Sequence, residues 1–238
     1  MRLAVIPARG GSKRIPRKNI KVFCGRPIIA WSIEAAARSG CFDRIIVSTD
    51  DEEVADVARA CGAEAPFLRP PELSDDITGT IPVVAHAIRW QRQSGVAATY
   101  VCCIYATAPF IDVSDLRSGY EVLVQSQSDY AFAITKFASP IQRAIRITRD
   151  NRIEMFHPEQ FNSRSQDLEE AFHDAGQFYW GRADAWLAET PVFSAAATPV
   201  VLPRYRVQDI DTPDDWIRAE IMFRAIDQAT SLADREKS

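Results

Sequence analysis

Residues 3–13 read LAVIPARGGSK, a short apolar run that passes directly into a basic loop with two adjacent glycines. Residues 3–6 predict a buried strand, which Pro7 ends. Gly10 and Gly11 allow the backbone to turn sharply and to point amide groups at an anion. A buried strand followed by such a loop indicates an α/β fold, because ligands of these folds bind beyond the carboxyl ends of the strands.

Apolar segments of strand length alternate with amphipathic segments further along the chain. The predicted strands cover residues 44–49, 100–105 and 130–135, and the predicted helices cover residues 27–39, 50–61, 79–93 and 112–126. This alternation predicts βαβ units, and therefore a Rossmann-like, mostly parallel sheet with helices on both faces. The loops after residues 6, 49 and 105 are then expected at the ligand-binding edge of the sheet.

The segment at about 140–172 breaks this alternation. Residues 144–148 and 152–156 can pair across a turn at 149–151, and residues 158–170 are polar and loop-like. We interpret the segment as a small β-hairpin insertion that serves as a lid or as a dimerisation arm. Strands at 177–181 and 199–202 and a helix at 214–226 follow. We therefore expect a single domain over residues 1–230 and a frayed tail at 231–238.

The composition limits the class of protein. The chain has 238 residues and a net charge of −4, which gives no general argument for binding to nucleic acid or to an anionic membrane. The amino-terminal apolar run is too short for a signal peptide, and no segment approaches the roughly 18 apolar residues that a membrane-spanning helix needs. We therefore expect a cytoplasmic protein with no nucleic-acid or membrane partner.

The loop that follows the first strand is strongly basic. Arg9, Lys13 and Lys18 belong to a run of six basic residues between positions 9 and 21. Their charges and the glycine amides suit a triphosphate, and the alternative is a surface loop with solvated charges. The pattern is neither a Walker loop nor a dinucleotide fingerprint, because GxxxxGKS/T and GxGxxG are both absent.

Two acidic residues alternate near the carboxyl terminus. If residues 207–211 are extended, Asp209 and Asp211 point to the same face, where their charges repel unless a cation lies between them. Magnesium prefers oxygen ligands, usually one or two carboxylates completed by phosphate and water. The alternative is a pair of capping residues without a metal. Asp214 and Asp215 are better interpreted as first-turn acids of the last helix.

Residues 7–13, PARGGSK, followed by Ile15-Pro16 and Lys18-Asn19, resemble the signature of the CMP–acidic-sugar synthetases. This family includes the CMP-sialic acid and CMP-pseudaminic acid synthetases, and the resemblance covers roughly residues 1–220. It implies that Asp209 and Asp211 hold Mg²⁺. It also implies that the nucleotide is bound by loop residues, namely Ala8, Arg9, Gly10, Gly11, Ser12, Lys13, Lys18 and Asn19.

The next segment extends the resemblance on the nucleotide side. Residues 67–71, FLRPP, match a family segment in which an arginine helps to hold the nucleotide, and that arginine is Arg69 here. Thr80 matches a family hydroxyl that can contact the ligand. Both residues are therefore expected in the nucleotide site.

Residues 105–110, YATAPF, occupy the place of the family's Gln-Pro-Thr-Ser-Pro segment. Tyr105 replaces the glutamine that lies near the sugar in sialic acid enzymes. This form, together with DAGQFYW at 174–180, is similar to the pseudaminic acid branch. The alternative for the aromatic residues is a place in the strand core. The sugar-binding residues that the resemblance implies are Tyr105, Thr107, Gln177, Phe178 and Tyr179.

The resemblance implies a cytidylyltransferase that joins CTP to an acidic nine-carbon sugar, most closely pseudaminic acid. The anomeric hydroxyl attacks the α-phosphorus and pyrophosphate leaves, and the implied catalytic residues are Arg9, Lys13, Lys18 and Asp211. No general base stands out, so catalysis rests on alignment and charge stabilisation. The resemblance also implies a homodimer. The alternatives are a CMP-N-acetylneuraminic acid synthetase, a sugar-1-phosphate nucleotidyltransferase and a non-catalytic nucleotide-binding module.

Overall fold

The computed structural model describes the backbone of residues 1–236 and the side chains of residues 1–229. The strands are β1 (Arg2–Pro7), β2 (Val22–Phe23), β3 (Arg26–Pro27), β4 (Arg44–Ser48), β5 (Tyr100–Ile104), β6 (Tyr130–Lys136), β7 (Ile145–Ile147), β8 (Ile153–Met155), β9 (Phe172–Arg182) and β10 (Ala197–Val201). The α-helices are α1 (Ile28–Ser39), α2 (Glu52–Ala60), α3 (Thr80–Gln93), α4 (Val113–Ser126), α5 (Ala183–Leu187) and α6 (Pro213–Glu236). Each strand and helix predicted in the first 135 residues is present, within two residues of its expected bounds.

One sheet contains six of these strands in the spatial order β10-β6-β9-β5-β1-β4. β1 pairs in parallel with β4 and β5, and β6 pairs in parallel with β10. β9 lies between β5 and β6 and is antiparallel to both. The mostly parallel sheet confirms the predicted α/β fold, whereas the direction of β9 is not visible in the sequence pattern.

Helices cover both faces of the sheet. Ala4 and Ile6 of β1 belong to a core that includes residues of α1, α2 and α4. Leu3 and Val5 belong to a second core, which includes residues of α3 and α5. Alternate residues of a strand point to opposite faces, so β1 is buried on both sides and its sequence is continuously apolar.

A third, smaller core joins the basic loop to the start of α6. Ile15 of the loop belongs to one apolar cluster with Phe23, Ile210 and Trp216. Ile15 and Ile210 are almost completely buried, and burial of one such side chain stabilises a fold by roughly 1.5–3 kcal/mol. This cluster holds the basic loop against residues 209–211, which are distant in the sequence.

The predicted hairpin is present between β6 and β9. β7 and β8 pair in antiparallel orientation, with Ile147 opposite Ile153 and with Asn151 at a φ of 54° in the turn. Ile145, Ile147 and Ile153 are all exposed. The insertion is therefore a β-hairpin with apolar side chains in contact with solvent.

The carboxyl-terminal helix is longer than expected. α6 begins at Pro213 and continues to Glu236 instead of ending near residue 226, because residues 214–236 contain neither glycine nor proline. The frayed tail expected at 231–238 therefore overlaps this helix, and residues 237 and 238 lie outside the described residues. Among residues 1–236, no helix combines the length and the apolar character needed to cross a membrane.

Candidate active site

A cleft of about 480 Å³ opens beside the carboxyl ends of β1 and β5. Pro7 at the end of β1 and Ala106 just after β5 form part of its wall. The predicted site residues that line it are Arg9, Ser12, Lys13, Lys18, Asn19, Arg69, Thr80, Tyr105, Thr107 and Asp211. The cleft therefore lies where parallel strands position ligands.

The start of the basic loop is fixed to the end of β4. The Ala8 amide donates to the Ser48 carbonyl at 2.9 Å, and the Gly10 amide donates to Asp50 Oδ1 at 2.9 Å. These two amides are thus engaged by the protein. Ala8, Gly10 and Gly11 are not among the residues that line the cleft, and their nucleotide contacts remain predictions.

Gly10 is required by close packing. A Cβ atom at this position would lie 2.5 Å from Asp51 Oδ2 and 2.8 Å from Asp51 Cβ. Asp51 caps α2 by accepting from the Val54 amide at 3.0 Å, and it pairs with Arg17 at 2.5 Å. The missing side chain therefore lets the loop pass closely over the amino terminus of α2.

Two of the predicted catalytic cations share one carboxylate. Arg9 Nη1 lies 2.6 Å from Asp76 Oδ1 and donates to the Asp75 carbonyl at 2.9 Å. Lys13 forms an ion pair with the other carboxylate oxygen of Asp76. The hydrogen bonds from Lys13 and Arg9 hold the pKa of Asp76 below its ordinary value. Asp76 belongs to the segment that resembles the family on the nucleotide side, although the resemblance gives it no role. It thus neutralises charges that suit a triphosphate.

Lys18 connects the basic loop to the acidic segment. Its Nζ donates to the Ile210 carbonyl at 2.8 Å and lies 3.3 Å from Asp211 Oδ1. Arg14 lies 2.9 Å from Asp211 Oδ2. Arg14 lies in the basic run of the sequence, but sequence reasoning does not single it out. Asp211 is therefore flanked by two cations in the wall of the cleft.

Asp209 lines a neighbouring cavity of about 810 Å³. The buried side chain of Ile210 lies between the two acids in the chain. The pKa of Asp209 is raised, first because surrounding atoms displace water from its carboxylate and second because of the like charge of Asp211, whereas Lys18 lowers it. The charge of Asp211 thus acts on Asp209, although the two acids line different cavities.

These two carboxylates offer oxygen ligands of the type that Mg²⁺ prefers. Within the described residues there is no group of three or more His, Cys, Asp or Glu side chains that could hold a metal. Asp209 and Asp211 supply oxygen donors whose mutual repulsion a cation would relieve. A magnesium ion at this pair would need phosphate oxygens and water to complete its coordination.

Arg69 is a buried charge beside the cleft, with only 6% of its surface exposed. Its Nε donates to Ser74 Oγ at 3.2 Å, and its Nη2 lies 3.8 Å from Asp50 Oδ1. Burial lowers the pKa of Arg69, and Asp50 opposes that effect. Asp50 thus joins the Arg69 guanidinium to the Gly10 amide. A buried guanidinium with a carboxylate at this distance suits a further anionic partner.

Tyr105, which lines the cleft, forms an aromatic pair with Tyr179 of β9. The rings of Tyr105 and Tyr179 are 5.3 Å apart, and Thr80 Oγ1 lies 3.4 Å from the Tyr105 hydroxyl. The Tyr179 hydroxyl donates to the Asp174 carboxylate. Burial raises the pKa of both phenols, so both stay protonated near neutrality. The pair also borders a mostly apolar cavity of about 320 Å³, which adjoins the cleft at Thr80 and Tyr105.

Gln177 contacts the backbone just before the acidic segment at residues 209–211. It is 2% exposed, and its side-chain amide donates to the Arg206 carbonyl at 2.6 Å. Arg206 in turn donates to Asp115 at 2.5 Å. Gln177 is not among the residues that line the cleft, and it holds the chain that leads to Asp209.

Phe178 is completely buried on the opposite face of the sheet, next to Gly119 of α4. Tyr179 lies on the other face, beside Tyr105, because successive residues of a strand point to opposite faces. The structure thus places Phe178 in the core, out of reach of the cleft, which corrects its expected contact with sugar. This position matches the strand-core alternative for the aromatic residues.

A basic cleft at the carboxyl ends of parallel strands, with two acids beside it, defines an α/β enzyme site for a phosphorylated ligand. The cytidylyltransferase family profile matches residues 3–195. The chain is 48% identical to the pseudaminic acid cytidylyltransferase of Campylobacter jejuni, over 93% of this chain and 96% of that protein. It is 32% identical to the CMP-N,N'-diacetyllegionaminic acid synthase of Legionella pneumophila, over 95% of this chain and 98% of that protein.

A solved structure of CMP:2-keto-3-deoxy-manno-octonic acid synthetase complexed with CTP has the same fold. Its TM-score is 0.67 at 17% sequence identity, with 94% of this chain and 98% of that chain covered. The chain therefore belongs to the cytidylyltransferase family, and the expectation of a nucleotidyltransferase enzyme is confirmed. The matched residues include the basic loop and the aromatic pair, whereas Asp209 and Asp211 lie after them.

Proposed function

We propose that the chain transfers CMP from CTP to the anomeric hydroxyl of a nonulosonic acid, and that this acid is pseudaminic acid. The observation that carries the proposal is a single cleft in which Arg9, Lys13 and Lys18 meet Asp211 close to Tyr105. The choice of sugar is supported by the 48% identity to a pseudaminic acid cytidylyltransferase over nearly the whole chain.

The basic loop binds the triphosphate. CTP displaces Asp76 from Arg9 and Lys13, because phosphate oxygens form stronger charge-assisted hydrogen bonds than one exposed carboxylate can maintain. Arg9 and Lys13 then neutralise the charge that develops on the departing pyrophosphate. The Ser12 hydroxyl and the buried Arg69 guanidinium offer further donors in the same cleft.

The transfer step is a direct displacement. The anomeric oxygen of the sugar forms a bond to the α-phosphorus and its hydroxyl proton is released to solvent, while the bond from that phosphorus to the pyrophosphate oxygen breaks and pyrophosphate leaves. Lys18 is held in place by Ile210 and Asp211, and its charge stabilises the phosphoryl group during transfer. Mg²⁺ held by Asp209 and Asp211 would supply further positive charge at the phosphate oxygens and lower the pKa of the attacking hydroxyl.

The sugar occupies the side of the cleft near Tyr105 and Thr107. The Tyr105 phenol offers one polar contact, and the adjoining apolar cavity of about 320 Å³ can take an apolar substituent of the sugar. Only 5% of the Tyr179 surface is exposed, so Tyr179 acts on the sugar through its neighbour Tyr105. Gln177 acts on the backbone near the acids, without direct sugar contact.

The proposal includes a homodimer in the cytoplasm, with the hairpin as the contact. Ile147 and Ile153 are 75% and 72% exposed, and Phe161 beyond the hairpin is 67% exposed. Clustered apolar surface of this kind is characteristic of protein interfaces. Light scattering on the purified protein tests this part. A dimeric mass that becomes monomeric in I147D/I153D supports it, and a monomeric wild type contradicts it.

Pyrophosphate release from CTP and Mg²⁺ tests the function directly. Pseudaminic acid, N-acetylneuraminic acid and a sugar 1-phosphate are offered separately at equal concentration. We expect release with pseudaminic acid at a kcat/KM far above that with the other two. Release only with N-acetylneuraminic acid would keep the mechanism and contradict the sugar, release only with the sugar 1-phosphate would contradict the attacking group, and CTP binding without release would favour a nucleotide-binding module.

A further inference from the structure

The long strand β9 contains an irregularity next to the sugar side of the cleft. From Phe132 to Ile134, β6 advances two residues, whereas the paired residues of β9, Tyr179 and Asp174, are five positions apart. Gly176 lies within this bulge at a φ of 61°, which glycine adopts without strain. The bulge therefore changes which side chains of β9 share a face.

The bulge brings Asp174 and Tyr179 together. Residues five apart in a regular strand point to opposite faces and lie roughly 17 Å apart. Here both are paired to residues that share one face of β6, and the Tyr179 hydroxyl donates to Asp174 Oδ2. The other oxygen, Oδ1, accepts from the Gly176 amide at 2.9 Å. The carboxylate is thus fixed by the bulge and bonded to the phenol.

This hydrogen bond sets the direction of a chain of hydroxyls. A carboxylate only accepts, so Tyr179 commits its single proton to Asp174. The Tyr179 oxygen then offers only its lone pairs to a further partner, and the Tyr105 ring lies beside it, with the two ring centroids 5.3 Å apart. Tyr105 can donate to Tyr179 and still present a lone pair on its Thr80 side, where Thr80 Oγ1 lies at 3.4 Å.

We infer that Asp174 is a positioning residue for the sugar site, which orients the Tyr179 and Tyr105 hydroxyls so that Tyr105 accepts a hydrogen bond from the sugar. The matching ligand group is a hydroxyl or an amide N–H. This inference rests on the proposed function and adds a residue whose effect on the sugar is transmitted by the Tyr179 hydroxyl, although Asp174 also lines the apolar cavity beside the cleft.

The D174N variant tests the inference with little change in shape. The asparagine side chain keeps an oxygen for the Gly176 amide but presents an amide donor to Tyr179, which reverses the hydroxyl direction. We expect the KM for pseudaminic acid to rise by about tenfold to 100-fold, since a buried hydrogen bond is lost. The KM for CTP should stay within about twofold in D174N. The control is D56N, which changes an exposed carboxylate paired to Arg59 and should leave both KM values within about twofold.

A double-mutant cycle separates positioning from a merely structural role. If Asp174 acts through Tyr179, the sugar KM of D174N/Y179F equals that of Y179F. Three results would each overturn the inference. The sugar KM could be unchanged in D174N, the KM for CTP could rise equally, or the sugar KM of the double variant could rise by the product of the two single-variant effects. A folded D174N with wild-type Tm and a selective rise in sugar KM supports it.

Failure of the proposed function can be told apart from failure of this inference. A wild-type protein that releases no pyrophosphate with any acidic sugar contradicts the function whatever the variants do. The hydroxyl chain is then tested without turnover, by NMR of the Tyr179 hydroxyl proton in the CTP-bound protein. Loss of a downfield hydroxyl resonance in D174N supports the orientation by Asp174, and an unchanged spectrum overturns it.

Discussion

Lys18 donates a 2.8 Å hydrogen bond from its Nζ to the carbonyl oxygen of Ile210. This bond joins the basic loop to the segment that carries both predicted magnesium ligands, although 192 positions separate the two residues in the sequence. Ile15 and Ile210 belong to the same small core, so the contact rests on packed apolar side chains. The relative position of the cationic and acidic halves of the site is therefore set by contacts within the protein.

The K18Q variant should lose activity much more than stability. Glutamine keeps a polar N–H donor on a side chain that is one atom shorter, but it removes the positive charge that stabilises the transferred phosphoryl group. We expect kcat to fall by about 100-fold to 1,000-fold, the range found when one electrostatic donor is removed from an active site. The measurement is steady-state pyrophosphate release. K21Q is the matched control, because Lys21 lies over the Trp216 ring outside the cleft, and equal activities of K18Q and K21Q would contradict the role of Lys18.

Asp211 should be needed for turnover and dispensable for folding. In D211A we expect pyrophosphate release to fall by about 100-fold or more, because the variant lacks one of two carboxylates for Mg²⁺. Removal of the metal with EDTA should abolish activity in the wild type, and added Mg²⁺ should restore it. D214N, changed at a first-turn acid of α6, is the control. Full activity of D211A at ordinary Mg²⁺ would remove the metal assignment.

Asp76 should compete with CTP. It occupies Arg9 and Lys13 in the structure, so D76N releases both cations for the triphosphate. We expect the Kd for CTP to fall by about two- to fivefold, because exposed ion pairs contribute weakly. Isothermal titration calorimetry measures this, with D56N as the control for loss of an exposed carboxylate paired to arginine. A weaker affinity in D76N would mean that Asp76 helps to bind the nucleotide or its metal.

Gly10 and Gly11 should differ in their tolerance of a methyl group. G10A places a Cβ against Asp51 and disturbs the cap of α2, whereas a Cβ at Gly11 meets no atom within 4 Å. We expect G10A to lower the free energy of unfolding by about 1–3 kcal/mol, as overpacking usually does. G11A should leave it within about 0.5 kcal/mol, as for surface substitutions. Urea denaturation compares the two, and equal stabilities would show that the loop can shift away from Asp51.

Much of the fold can be predicted from local patterns. Strands such as residues 44–48 and helices such as residues 28–39 combine apolar periodicity with clear end signals. The antiparallel direction of β9 cannot be predicted in this way, because a strand buried on both faces is apolar in either direction. The bulge at Gly176 is also hidden, since one glycine in a strand does not reveal how many residues are extra.

Site residues that directly follow the end of a strand can be predicted from the sequence. Residues that reach the site through tertiary contacts are harder to predict. Arg9, Lys13, Lys18 and Asp211 do gather in one cleft. The competing contacts of Asp76 depend on the loop before α3, which has no regular pattern. Phe178 is expected in the site but lies in the core. A resemblance identifies a segment, whereas the alternation of side chains along the strand determines which of its residues faces the ligand.

Transfer of CMP to the sugar is tested by ³¹P NMR of CTP, pseudaminic acid and Mg²⁺ incubated with the purified protein. We expect the three CTP resonances to disappear together, and one phosphodiester product and pyrophosphate to appear in equal molar amounts. Appearance of CDP with inorganic phosphate, or unchanged CTP while the protein is folded and bound to it, would contradict the transfer of CMP to the sugar.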